Sequence, residues 1–190
     1  HDHSRFLTRT SHKVGRVQDL GSDAALEGVN KGVFREAIVI QMTWVGAPTI
    51  YYGDEAGLCG FTDPDNRRTF PWGEEDHSLL SFYKEAICIR RENPVLTHGS
   101  TRFLALDYQF LSYGRFSEQD QIVVVINNDK EEKEINIPVW EAGVPREAFM
   151  ERLVLTLENG FSLGREVYHV KKGILYLKVP PICSMILRRI

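Results

Sequence analysis

The sequence predicts two kinds of structure in series, an α/β half over residues 1–95 and an all-β half over residues 96–190. Three observations predict it. The apolar run 47–52 lies between Gly46 and Gly53 and is too short for a helix, which suits a strand buried on both faces. Segments with helical spacing stand on either side of that run. After Pro94 the texture changes to short β-branched and aromatic runs separated by turn residues, the pattern of an antiparallel sandwich.

Residues 1–21 are polar and irregular. Ser22 or Asp23 can cap a helix whose buried stripe is Val33, Phe34, Ala37, Ile38, Gln41 and Met42. Gly28 and Gly32 weaken its first half and predict a break near residue 30. Pro48 fits the first residue of the following strand, where no ladder donor is needed. The polar segment 54–68 then reads as a loop at the carboxyl end of that strand, where α/β folds place ligands. A second helix starts near Asp76 and buries Leu79, Phe82, Tyr83, Ala86 and Ile87. Arg90 and Arg91 complement its dipole, and Asn93-Pro94 stops it. Strands are expected at 101–105, 109–113, 121–126, 134–137, 153–157, 174–179 and 183–187. In the third of these, Ile122, Val124 and Ile126 are expected to point inward. The boundary between the halves falls at 93–98.

The net charge of −3 and the scattered basic pairs give no reason to expect nucleic acid. No run approaches the roughly 18 apolar residues of a membrane span. Cys59, Cys88 and Cys183 show no CxxC and no zinc spacing, so free, mostly packed cysteines in a reducing, cytoplasmic setting are expected. A leader upstream of His1 would be invisible here. No metal motif appears and no cofactor is expected, with calcium left open. One strand cannot form a parallel sheet alone, so the chain reads as the C-terminal part of something longer.

Four segments carry a resemblance. They are His1-Asp2-His3-Ser4-Arg5-Phe6, then Gln41-Met42-Thr43 leading into Gly46-Ala47-Pro48-Thr49-Ile50-Tyr51-Tyr52-Gly53-Asp54-Glu55, then Asp63-Pro64-Asp65-Asn66-Arg67-Arg68, and Trp72. Together they resemble the α-amylase superfamily of retaining glycoside hydrolases, within it the neopullulanase, cyclomaltodextrinase and maltogenic amylase group. The resemblance is close over 1–95 and looser beyond. It implies that residues 1–95 are the C-terminal remnant of a (β/α)8 TIM barrel and that 96–190 are the β-sandwich following it.

The same resemblance implies roles for four residues. Asp2 would be the carboxylate that stabilises an oxocarbenium-like transition state, and His1 would bind the same sugar ring. His3 stands where the family usually has Thr. Asp63 and Arg67 would contact donor-side glucose units, since a carboxylate and a guanidinium can each hold two vicinal hydroxyls. They are also expected to pair with each other. Asp54 and Glu55 are not the acid and base, because retention needs two carboxyls about 5–5.5 Å apart across one bond and adjacent strand residues point opposite ways. They are expected to anchor the loop, with Phe61, Phe70 and Trp72 packed beneath it.

The family's nucleophilic Asp and acid/base Glu match nothing in this chain. The implied function is therefore a C-terminal fragment of a retaining hydrolase of α-1,4-glucosidic bonds, incomplete by itself, with an α-glucan or maltooligosaccharide as its partner. A non-catalytic glucan-binding or assembly module is one alternative, and an α-1,6-acting or α-glucosidase member is another. The apolar stripe of the first helix and the run 47–52 predict self-association, unless the helices fold back on the sandwich.

Overall fold

A computed structural model describes residues 2–190. The irregular first segment holds two single-turn helices, α1 (Phe6–Arg9) and α2 (Val17–Leu20), and a 3-10 turn at Asp23–Ala25. The long helix α3 (Lys31–Thr43) starts at the expected break near residue 30, with Gly32 in its first turn, and not at Ser22 or Asp23, which lead only into the short 3-10 turn. The Asn30 side chain caps α3 by accepting from the Val33 N–H at 3.0 Å. Helix α4 (His77–Glu92) is capped by Asp76, which accepts from the Ser78 and Leu79 N–H groups. The turn α5 (Val95–His98) leads into the strands.

Nine strands follow. They are β1 (Ser100–Asp107), β2 (Phe110–Phe116), β3 (Gln121–Asn127), β4 (Lys133–Ile137), β5 (Ala148–Leu157), β6 (Gly160–Ser162), β7 (Val167–Val170), β8 (Leu175–Val179) and β9 (Cys183–Arg189). The large sheet runs β1-β2-β3-β9-β5-β6, with β7 also paired to β5, and β4–β8 form a second layer. Every pairing is antiparallel, as a sandwich requires. All seven expected strands are present. The short β6 and β7 carry too few residues to show a period.

Two expectations about strands change. Residues 47–52 form no strand, because no neighbouring strand among the described residues offers the ladder bonds a parallel strand needs. Instead the run is pinned by side chains: Gln41 Nε2 donates to the Thr49 carbonyl at 2.6 Å. The central strand β3 is buried at all seven residues, since the sheet is covered on both sides. Ile122, Val124 and Ile126 are inward as expected, but they pack with Phe34, Ile38 and Phe82 of the helices. Val123 and Val125 meet Ile137, Leu175 and Leu177 of the second layer.

The helices therefore lie on the sheet within one chain and bury Phe34, Ile38 and Met42 of the expected stripe, while Val33, Ala37 and Gln41 are only half-buried and Arg35, Glu36 and Val39 are buried in their place. Two arginines complete this joint. Arg115 of β2 is fully buried and donates to the carbonyls of Thr43 (2.6 Å), Leu96 (2.8 Å) and Gly99 (2.9 Å). Arg90 reaches across from α4 to the Met42 and Gly46 carbonyls at 2.7 and 2.6 Å, so it closes the end of α3 as well as charging its own helix end.

Candidate substrate-binding site

The two motif-bearing segments, separated by some fifty residues of chain, are joined in space by one side chain. Arg5 is 1% exposed. Its Nε donates to the Asn66 carbonyl (2.9 Å), and its Nη1 donates to the Tyr52 carbonyl (2.6 Å) and to Asp54 Oδ1 (2.9 Å). The guanidinium also lies over the Tyr51 ring at 3.6 Å and the Tyr52 ring at 4.7 Å. Five donors in a flat fork let one residue hold a loop that has no ladder of its own.

Shorter ties complete the joint. Asn66 Nδ2 donates to the His3 carbonyl (2.6 Å), and Thr62 Oγ1 donates to the Asp2 carbonyl (3.0 Å). The Gly60 N–H donates to Thr8 Oγ1 at 2.9 Å. A Cβ on Gly60 would lie 2.7 Å from the Asn66 Cα, so the loop's two limbs meet there backbone to backbone.

Asp54 behaves as the expected anchor. Burial pushes its carboxyl pKa up, and the bond to Arg5 only partly offsets that. Phe61 is fully buried, also as expected. Trp72 is not. It is 82% exposed and leans on Phe70 at 4.5 Å, because the tight turn of Trp72 N–H onto the Phe70 carbonyl (2.9 Å) holds the indole outward.

Three of the four sequence-predicted site residues converge above this cradle, while His1 lies outside the described residues. Arg67 forms an ion pair with Asp63, and its Nη2 stands 3.7 Å from Asp2 Oδ1. Their side chains are 71% (Asp2), 39% (Asp63) and 48% (Arg67) exposed. Ion pairs this wet contribute little to stability, so the cluster is better suited to contacting a ligand than to holding the fold. Two carboxylates and a guanidinium in reach of one another present bidentate partners for vicinal hydroxyls. Among the described residues no group of three or more His, Cys, Asp or Glu side chains could hold a metal ion. The residue that sequence reasoning missed is Arg5. It stands within the first motif, but nothing local reveals that a basic residue there has its acceptors some fifty to sixty positions away.

No family model matches the chain. Over 197 residues it is 37% identical to an amylopullulanase from Thermoanaerobacter thermohydrosulfuricus, covering 98% of this chain and 12% of that protein. Over 191 residues it is 36% identical to neopullulanase 2 from Thermoactinomyces vulgaris, covering 98% of this chain and 28% of that protein. The chain thus spans less than a third of the length of these curated relatives. The crystal structure of an α-amylase from Geobacillus thermoleovorans complexed with acarbose matches all of this chain and 37% of its own. The TM-score is 0.76 at 20% identity, a likeness of fold.

Proposed function

This chain belongs to the α-amylase family of glycoside hydrolases, and we propose that it supplies one edge of the active site of a retaining α-glucan hydrolase. Residues 1–95 are read as the last part of a (β/α)8 barrel and 96–190 as the sandwich behind it. The observation that carries the reading is the meeting of Asp2, Asp63 and Arg67, brought together from two motifs by Arg5.

In this reading Asp2 faces the sugar ring at which positive charge develops, and its carboxylate stabilises that charge more than it does the neutral ground state. Asp63 and Arg67 hold hydroxyls of the neighbouring glucose, a contact made in both states. His1 would share the ring with Asp2. The nucleophile and the acid/base are not supplied by this chain, which alone would be inactive. Linkages of the α-1,4 type are proposed on the neopullulanase and cyclomaltodextrinase names among the relatives.

The test is Asp2→Asn in the full-length protein, assayed on maltooligosaccharides. The amide keeps the shape and loses the charge, so kcat should fall by about a hundredfold to a thousandfold with KM little changed. A kcat close to that of the unaltered enzyme would remove Asp2 from the reaction. Arg67→Ala should instead act mainly through KM, and most on longer substrates.

A further inference from the structure

The helices α3 and α4 both begin at a cleft of about 620 Å³, whose third wall is the turn between β5 and β6. Asn30, Lys31 and Arg35 line it from α3, Ser78 from α4, and Glu158 and Asn159 from the turn. Close backbone approach builds it. A Cβ on Gly32 would lie 2.7 Å from the Glu158 Cα and 2.8 Å from Ile182 Cγ2, so glycine lets the start of α3 meet the hairpin.

Arg35 is the unusual member. It is 2% exposed, and its bonds reach neutral acceptors: Nη2 donates to Ser78 Oγ at 2.8 Å and Nη1 to the Glu158 carbonyl at 3.4 Å. Its buried Nε has no partner among the described residues. A guanidinium taken out of water ordinarily faces an anion, because a buried charge without compensation is costly. The neighbouring acids do not fill that place. One oxygen of Asp76 caps α4, and the other pairs with Lys31 Nζ at 2.6 Å. Burial keeps Glu36 in its neutral form. The exposed Glu158 carboxylate is turned to Asn30 Nδ2 at 3.5 Å. Burial accordingly pulls the Arg35 pKa down, and the Asp76 charge offsets only part of that. Neither first turn carries an acid, so the positive ends of two long helices also meet here.

We propose that this cleft binds a phosphoryl group, as free phosphate or as the phosphate of a small monoester, with Arg35 and Lys31 as its charged partners. Arg35 has further N–H donors beyond the two in use, and the Lys31 ammonium can hold an oxyanion while keeping Asp76. The Ser78 hydroxyl and the amides of Asn30 and Asn159 supply neutral donors around them. The cleft is larger than a bare phosphate, which leaves room for the organic part of an ester. It shares no residue with the Asp2–Asp63–Arg67 cluster and does not depend on the α-glucan reading. Because its walls come from the helices and from the β5–β6 hairpin, an anion held there ties the helices to the sheet.

Calorimetric titration of the full-length protein with inorganic phosphate, at an ionic strength held constant with sodium chloride, tests it. Saturable binding is expected. Arg35→Met should abolish it, and Lys31→Gln should weaken it by about fivefold to tenfold. Glu158→Gln, which removes a like charge from the rim, should tighten it by about twofold to threefold. A parallel titration with glycerol 3-phosphate separates the two sources: tighter binding than phosphate assigns the cleft to an ester, and equal or weaker binding assigns it to the free ion. Circular dichroism checks folding. Should Arg35→Met fail to fold, Lys31→Gln and Glu158→Gln carry the test, since a merely structural role would not strengthen binding when a carboxylate is removed. Absence of saturable binding to the unaltered protein would overturn the inference. An affinity that Lys31→Gln leaves unchanged, or one that Glu158→Gln weakens, would overturn it as well.

Discussion

The two sides of the large sheet are built differently. The side facing β4 and β8 is an apolar sandwich core of Val123, Val125, Ile137, Leu175, Leu177 and Leu187, with Asn127 bonded to the Val179 and Pro180 carbonyls. The side facing the helices mixes Ile122, Val124 and Phe82 with buried Arg115 and a hydroxyl pair, Thr156 and Ser184, at 2.7 Å. Packed against it, α3 carries the buried ionisable side chains Arg35 and Glu36. Dry, close-packed cores hold a domain together, whereas polar seams are usual where two units meet. We read the helix side as the joint between the proposed barrel portion and the sandwich, the chain passing from one to the other through residues 93–98.

Arg115→Met should test that joint most severely. It leaves the Thr43, Leu96 and Gly99 carbonyls without their buried donor, a loss of about 3–5 kcal/mol in denaturant unfolding. On the other side Val125→Ala should cost about 2 kcal/mol through lost burial and a small cavity. A cost for Arg115→Met smaller than that for Val125→Ala would mean that the polar seam is not a main support.

Glu36 sharpens the contrast through pH. It is 3% exposed, its Oε1 has no hydrogen-bond partner, and burial pushes its pKa up to about 9. The folded state therefore holds a proton that the unfolded chain releases near pH 4.5. Its contribution to stability is greatest below that value and falls as pH rises to about 9, beyond which it is flat. Glu36→Gln removes this term. Between pH 6 and pH 8 the unaltered protein should lose about 3 kcal/mol relative to the variant. Parallel stability curves for the two proteins would show that Glu36 is ionised and solvated at the seam.

Legibility followed the physics of each region. The strands β1 to β5, β8 and β9 and the helix α4 were readable because period and caps are local: Asp76 and Asn93-Pro94 sit where α4 begins and ends. The body of α3 was readable from its period, but its start was not, because the cap is Asn30 and not Ser22 or Asp23. The direction of β3 was only half readable. A strand buried on both faces has no polar side to mark which face meets which layer, so Ile122 and Val123 look alike in sequence. The run 47–52 failed for the opposite reason, since its composition suits a strand but strand formation depends on a partner that composition cannot supply. At the site, Asp63 and Arg67 were found from one motif, and their meeting with Asp2 was not visible, because the link is the Arg5 fork buried beneath them.

Arg5→Lys is the mildest change and the most specific to that link. Lysine keeps the positive charge, so one bond to Asp54 or to the Tyr52 carbonyl can persist. It loses the planar fork, and with it the Nε bond to the Asn66 carbonyl and the flat stack on Tyr51 and Tyr52. The global cost should be about 1–2 kcal/mol, because the sheet and its two cores make no contact with this residue's side-chain bonds. The local cost should be larger, since residues 52–66 have no ladder to fall back on and would open with a lower free energy than the sheet. Limited proteolysis should then cut the variant within 52–66 well before any strand, while the unaltered protein resists there. Cleavage at equal rates in both proteins would mean that the loop is held by Thr62, Asn66 and Gly60 alone, and that Arg5 is a passenger in the cradle it fills.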